Sequence, residues 1–170
     1  LRIINDNNWN RPIYFGVTVS PTSMLNLDNY LQMEGLAYRL VNNSNQIINQ
    51  NKMSDNLLSY IGDNSWFTDY DSNKYNLIDR DISKEYQRGY IFRNLANEKV
   101  YVDPQLGRLV QNYRTGFVRL SISHYLNKDF QKAEAALLKM EEIMPSSIIP
   151  IPSKQLQYQI AQVYSGVGNN

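Results

Sequence analysis

Oxygen-bearing side chains at alternate positions suggest a metal site in the middle of the chain. Asp69, Asp71 and Asn73 have the spacing with which a calcium-binding loop begins, where the side chains at positions one, three and five supply oxygen ligands. Such a loop also needs glycine at its sixth position and a bidentate glutamate at its twelfth. This chain has Lys74 and Arg80 there. A cation at the bidentate position is incompatible with calcium, so we expect a solvated loop and no bound metal.

The same stretch contains two Asp-x-Asp pairs, Asp69 with Asp71 and Asp79 with Asp81. Pairs of this kind hold a metal–nucleotide-sugar in one class of glycosyltransferase. A pattern of three residues recurs by chance, and membrane-embedded transferases with lipid-linked donors do not generally use it. A solvated loop is again the favoured interpretation.

Four aromatic residues crowd this otherwise polar stretch: Trp66, Phe67, Tyr70 and Tyr75. Rings in a loop can stack on the faces of sugars, which would suit a glycan-handling protein. Such rings more often hold an irregular loop against the core. The second interpretation is favoured, and sugar contact is the alternative.

Nucleophilic and acid–base chemistry has little support in the sequence. His124 is the sole histidine, and it falls at helical spacing on an apolar stripe, so it predicts a packed, hydrogen-bonded core residue and not a general base. The absence of cysteine excludes a thiol nucleophile, a disulfide scaffold and a Cys-ligated zinc. The glycines form no phosphate-binding loop. We therefore expect no catalytic residue, no cofactor and no metal in this chain.

The composition indicates a folded domain of balanced charge. The 170 residues include 17 basic and 16 acidic side chains, and 42% are hydrophobic. This balance argues against a nucleic-acid surface, and no apolar run reaches the length of about 18 residues that a membrane span requires. No signal peptide is recognisable, and the start at Leu1 suggests a piece excised from a longer protein.

The C-terminal part predicts helices in a repeat pattern. Asp103 before Pro104 is a helix start, and Asp129 is positioned to cap a second helix. Between Phe117 and Pro145, bulky, small and ring-bearing residues and a final proline occur at the offsets of a tetratricopeptide repeat, a helix-turn-helix unit that binds partners. The matching residues are Phe117, Leu120, Ser121, His124, Ala133, Leu137 and Pro145.

A third helix resembles the first helix of a second repeat. Its expected apolar face is Leu156, Ile160, Ala161 and Tyr164, and it should stop at Gly166 and Gly168. The face that such repeats turn toward a ligand carries Gln155, Tyr158, Gln162 and Ser165. These four side chains are the candidate partner groove.

Residues 1–103 predict a smaller mixed α/β part. Residues 12–19 are β-branched and aromatic, which indicates a strand covered on both faces. A short helix or turn and then a strand are expected over 30–41, a helix over 52–62, and an extended piece over 99–102. Residues 63–80 suggest an irregular excursion, and 81–90 another short helix.

The predicted fold class is therefore α+β, mainly helical, with residues 1–103 packed on residues 104–170 as one globular unit. In the first repeat the ligand-facing side chains are Val118, Ile122 and Tyr125, and they make that helix apolar nearly all round. A helix of that kind is buried, and residues 1–103 are the candidate cover.

Two segments, 9–19 and 30–41, carry a resemblance to a known family. Trp-Asn-Arg-Pro-Ile-Tyr-Phe-Gly-Val-Thr-Val and Tyr-Leu-Gln-Met-Glu-Gly-Leu-Ala-Tyr-Arg-Leu-Val are similar to a bacterial family of multi-spanning membrane proteins, and the similarity continues through 100–103 and 112–120. The membrane part of that family looks like protein O-mannosyltransferases. This chain departs from the pattern at Asn42, where the family usually has proline.

The resemblance implies that this chain is the extracytoplasmic (periplasmic) tail of a membrane glycosyltransferase, tethered by upstream spans. The catalytic acid of such a parent would lie in the membrane part, so no catalytic role is carried over to these residues. The implied partners are an acceptor polypeptide or other protein and the membrane part of the same chain. The alternative is a free-standing tetratricopeptide adaptor, and a self-contained enzyme is the third hypothesis.

Overall fold

A computed structural model of the chain describes residues 2–42, 47–58, 89–90 and 92–168. The Asp-rich metal pattern, both Asp-x-Asp pairs, the four aromatic residues, the excursion over 63–80 and nearly all of the helix over 81–90 lie outside the described residues. The elements in chain order are α1 (Arg2–Asn7), β1 (Tyr14–Gly16), two short 3-10 turns (Pro21–Met24 and Asp28–Tyr30), β2 (Leu31–Met33), β3 (Ala37–Leu40), α2 (Gln50–Leu58), α3 (Pro104–Leu126), α4 (Phe130–Ile143) and α5 (Lys154–Gly168). This is a mainly helical α+β fold, as predicted.

The three strands form one antiparallel sheet in the order β1-β3-β2. The prediction for residues 12–19 is wrong in length and burial: β1 is a three-residue edge strand, and Tyr14 is 48% exposed. The prediction of a helix or turn at the start of 30–41 is also wrong. Residues Leu31–Met33 form strand β2 instead. Leu31 and Met33 alternate with Gln32, as expected for a strand, and both apolar side chains are buried.

A tight turn at Gly35 joins β2 to β3. Gly35 has a φ of +116°, and the turn is closed by the Glu34 N–H donating to the Ala37 carbonyl at 2.9 Å. The Tyr90 hydroxyl accepts from the Leu36 N–H at 2.9 Å and lies where a side chain at Gly35 would project. Only glycine meets both conditions without strain.

The segments that flank the long gap differ from their predictions in detail. Helix α2 begins at Gln50, two residues earlier than expected, and residues 59–62 of the predicted helix are outside the described part of the chain. Residues 99–102 form no strand. They follow a turn in which the Val100 N–H donates to the Asn97 carbonyl at 3.0 Å.

Helices α3 and α4 form an antiparallel hairpin with the caps that the sequence predicts. The Asp103 carboxylate accepts from the N–H groups of Gln105 and Leu106, and the Asp129 carboxylate accepts from the Lys132 N–H. The Ser121 hydroxyl donates to the Ala133 carbonyl at 2.6 Å, where the two helices are in close contact. The small residue at position 121 permits this approach.

Helix α5 packs on both α3 and α4, and the expected apolar face is confirmed for Leu156 and the partly buried Ile160 but not for the rest. The buried residues are Leu156 and Val163, whereas Ala161 and Tyr164 are exposed. The helix was expected to stop at Gly166 and Gly168, and it ends at Gly168. Because α5 packs against two helices, its buried face includes Val163 and excludes Ala161 and Tyr164.

One core joins the first part of the chain to the helices. Met33, Met53, Leu57 and Phe92 pack in the same cluster as Phe117 and the other buried residues of α3, α4 and α5. Met24, Leu31 and Leu40 form a second, smaller cluster under the sheet. A domain boundary at 103/104 stays a prediction. Among the described helices, none has both the length and the apolar character of a membrane span.

Candidate partner-binding grooves

An open groove of about 720 Å³ runs between the C-terminal half of α3 and helix α5. We call it the α3–α5 groove. Its α3 wall is made by three residues, and its α5 wall by the side chains that project toward them. The lining residues are Ile122, Tyr125, Leu126, Tyr158, Gln159, Ala161, Gln162, Val163, Ser165 and Gly166.

Three of the four predicted groove residues line this space. Tyr158, Gln162 and Ser165 belong to the groove, whereas Gln155 is exposed but not part of the lining. The Gln162 side-chain amide donates to the Tyr158 hydroxyl at 3.2 Å, one helical turn away. Tyr158 is 64% exposed, so most of its ring surface is free to contact a partner.

The width of the groove is set by a close approach between Tyr125 and Gly166. A Cβ atom at Gly166 would collide with the ring and hydroxyl of Tyr125. The Tyr125 ring also packs edge to face on Phe130, with the ring centroids 5.5 Å apart. The glycine in α5 thus allows a fixed aromatic ring of α3 to form the end of the groove.

A second groove, of about 490 Å³, lies on the other side of the same α3 face. We call it the seam groove, because the first part of the chain and α3 both contribute to it. Its lining residues are Ile47, Ile48, Gln50, Arg119, Ile122, Ser123, Leu126 and Asn127. Sequence reasoning missed it, although the adjacent isoleucines at 47 and 48 in a polar stretch were a usable signal.

Polar contacts fix the walls of the seam groove. The Gln50 side-chain amide donates to the Ser123 hydroxyl at 2.7 Å and ties α2 to α3. The Arg119 guanidinium donates to the Tyr38 hydroxyl at 2.8 Å and ties α3 to the sheet. These two contacts place Ile47 and Ile48 beside α3.

The face of α3 that was expected to be covered is covered only in part. Val118 is 1% exposed, as predicted. Ile122 and Tyr125 are half-buried, because one or both grooves open beside them. Residues 1–103 therefore cover the N-terminal side of this face and leave its C-terminal end open to solvent.

His124 lies away from both grooves, between α3 and α4. It is 6% exposed, and its Nε2 atom has no hydrogen-bond partner. The packed position is confirmed, but the expected hydrogen bond is missing at this nitrogen. Burial lowers the pKa of His124 below its ordinary value of 6.5, the nearby Asp129 carboxylate opposes that shift, and Lys132 adds to it.

We expect His124 to make the fold sensitive to mild acid. The unfolded chain binds a proton near pH 6.5, whereas the folded chain binds it only at lower pH, so this contribution to stability is full above about pH 6.5 and is lost as the pH falls. The variant His124→Phe should lose less stability than the wild type between about pH 7 and pH 5.5, and at pH 7 it should stay within about 2 kcal/mol of it. Urea unfolding at several pH values measures both, and parallel curves would contradict the assignment.

Among the described residues, Glu34 is the one buried carboxylate, and it is therefore the best candidate for an acid–base group. It accepts from the Tyr14 hydroxyl at 2.9 Å and from the Asn49 amide at 3.4 Å, and Arg39 lies 3.6 Å away. Burial, and then the hydrogen bond to Glu34, raise the pKa of Tyr14. Every partner belongs to the sheet or to the residue before α2, so the carboxylate anchors the hairpin turn. The described residues contain no cluster of three acidic or histidine side chains suited to a metal.

Comparison with known proteins gives one match. Residues 1–67 match the family model of TMEM260-associated domain 2. No curated protein and no solved structure matches the chain. The first part of the chain is therefore similar to a TMEM260-related domain, which agrees with the coarser form of the resemblance seen in segments 9–19 and 30–41. The match does not include α3, α4 or α5, and their tetratricopeptide likeness stays a prediction.

Proposed function

We propose that this chain is a non-catalytic, extracytoplasmic domain of a membrane glycosyltransferase-like protein, and that it binds and positions acceptor polypeptides. The observation that carries the proposal is the α3–α5 groove. It is open, it combines apolar walls with amide and hydroxyl groups, and its lining includes no Asp, Glu, Lys, Arg or His. Such a surface suits a partner that is held by apolar contacts and hydrogen bonds.

The link to a membrane protein is supported by the match of residues 1–67 to a TMEM260-associated domain. In the proposed arrangement the membrane part of the parent carries the catalytic acid and the lipid-linked donor. The first part of this chain faces the membrane part, and α3 and α5 face the acceptor. Bringing an acceptor to a transferase in a fixed orientation raises its effective concentration there, which accelerates transfer without added chemistry.

The second candidate is a free-standing tetratricopeptide-type adaptor. The observation that favours it is that the matched region ends at residue 67, so the hairpin of α3 and α4 and the helix α5 have no support from that family. Sequencing of the flanking coding region discriminates the two. Several upstream apolar runs of about 20 residues support the membrane transferase, and their absence supports the adaptor.

The positioning role is tested in the full-length protein with the variant Tyr158→Arg. Tyr158 is largely exposed, so the fold should tolerate the change, while a charge is introduced into an uncharged groove. We expect glycan occupancy on acceptor proteins, measured by glycopeptide mass spectrometry, to fall by about tenfold. The matched control is Leu138→Arg, an exposed position on α4 that lines neither groove. Equal occupancy in wild type and Tyr158→Arg would refute the positioning role.

A further inference from the structure

We infer that the α3–α5 groove and the seam groove form one continuous binding surface for an extended, uncharged polypeptide segment. The inference rests on the proposed function and names the partner class of that site. Ile122 and Leu126 line both grooves, so the two spaces are separated only by a low apolar ridge. Leu126 is 73% exposed at the top of that ridge.

The apolar groups are spaced along the surface and are not collected in one pocket. Ile47 is 77% exposed at one end, Leu126 is in the middle, and Tyr158 is 64% exposed at the other end. A chain that crosses the ridge meets an apolar contact in each section. An extended polypeptide suits this pattern, because its successive side chains are about 3.3 Å apart along the strand and point alternately toward and away from the surface.

The polar groups of the surface match a peptide backbone. Gln50 and Asn127 belong to the seam groove, and Gln159 and Gln162 belong to the α3–α5 groove. Each of these amides is able both to donate to a carbonyl and to accept from an N–H. Tyr125 and Tyr158 supply aromatic rings in the α3–α5 groove, but the seam groove offers only aliphatic contacts such as Ile47 and Leu126, so a polypeptide fits the whole surface better than a glycan.

The charge of the surface further restricts the occupant. Arg119 is the one charged side chain in the lining of the two grooves, and it lies at the seam end. A lysine or arginine in the occupant would lose hydration there without gaining an acidic partner. The segment is therefore uncharged along α5, and it tolerates an acidic residue only beside Arg119.

The test uses the full chain and a displayed library of random peptides about 12 residues long, roughly 40 Å when extended. We expect enrichment of aliphatic sequences with uncharged polar residues that are depleted of Lys and Arg. Enriched peptides should bind Ile47→Arg and Leu126→Arg about tenfold more weakly than the wild type, because each change places a charge at an apolar contact. Leu138→Arg, the matched control, should bind within about twofold of the wild type.

The outcomes separate this inference from the proposed function. If Tyr158→Arg abolishes peptide binding and Ile47→Arg does not, the α3–α5 groove acts alone and the continuous surface is wrong, while the proposed function stands. If the library yields no enrichment, or only Lys- and Arg-rich peptides, both are wrong. Binding of neutral mannose oligosaccharides that is lost in Leu126→Arg, without peptide binding, would replace the polypeptide with a glycan.

Discussion

Replacing Arg114 with alanine should lower the free energy of unfolding by about 3 kcal/mol. Arg114 is completely buried in α3. Its guanidinium donates to the Met144 carbonyl at 2.7 Å and to the Pro150 carbonyl at 3.2 Å. Alanine would remove the side-chain donor of the Met144 carbonyl, would leave the Pro150 carbonyl with only the Gln111 amide at 3.4 Å, and would create a cavity where the long side chain lies. The same contacts hold the connection between α4 and α5 against α3.

Two further variants separate the hydrogen bonds of Arg114 from its volume. Burial lowers the pKa of Arg114, and the Glu141 charge opposes this shift. The Nε atom of Arg114 has no hydrogen-bond partner. The loss of hydration of the buried charge therefore offsets part of the stabilisation by its hydrogen bonds. Arg114→Met keeps most of the side-chain volume and should lower the free energy of unfolding by about 1–3 kcal/mol. Arg114→Lys should have a stability between those of the methionine variant and the wild type, because an ammonium group does not reproduce the planar set of donors of a guanidinium. Urea unfolding followed by circular dichroism gives these values. A methionine variant as stable as the wild type would show that the guanidinium does not stabilise this connection.

Replacing Leu57 with alanine should destabilise the whole chain by about 3 kcal/mol, in a single transition. Leu57 is completely buried at the end of α2 and lies against Gly116 of α3. If residues 1–103 and 104–170 fold as one unit, losing this contact lowers the midpoint at which α3, α4 and α5 unfold. The helical signal in circular dichroism reports mainly on those three helices.

The comparison for Leu57→Ala is Leu137→Ala, a fully buried position within the helical part. In one cooperative unit both variants shift the same transition by similar amounts. If Leu57→Ala leaves the helical transition in place and only Leu137→Ala moves it, the two parts fold independently and the single-unit prediction is wrong. Limited proteolysis near residues 103 and 104 gives a second readout.

The helical end of the fold was predictable because its signals are local. Asp103 and Asp129 each satisfy backbone N–H groups two or three residues away, so the cap can be recognised without knowledge of the rest of the molecule. The apolar stripe of α3 is long enough for its period to be unambiguous. The burial of Ser121 and His124 followed from the same pattern.

The sheet and α5 were harder to predict because tertiary contacts decide them. Strand β1 is apolar but lies at the edge, since β3 pairs with both other strands, and a sequence pattern does not contain the strand order. In α5, Leu156 is buried as expected, but packing against two helices at once also buries Val163 and leaves Ala161 and Tyr164 exposed. The seam groove depends on residues far apart in the sequence, such as Gln50 and Ser123, which are 73 positions apart and which sequence spacing does not bring together.

Gly166 has no side chain, and this allows helix α5 to lie close to Tyr125 of helix α3. Any side chain there would have to displace the Tyr125 ring, which packs on Phe130. The separation of α3 and α5 at this point therefore depends on the absence of a side chain at Gly166. Changing the bulk at this position would change the width of the groove by moving the Tyr125 ring, while the polar side chains of α5 that line the groove would keep their identity.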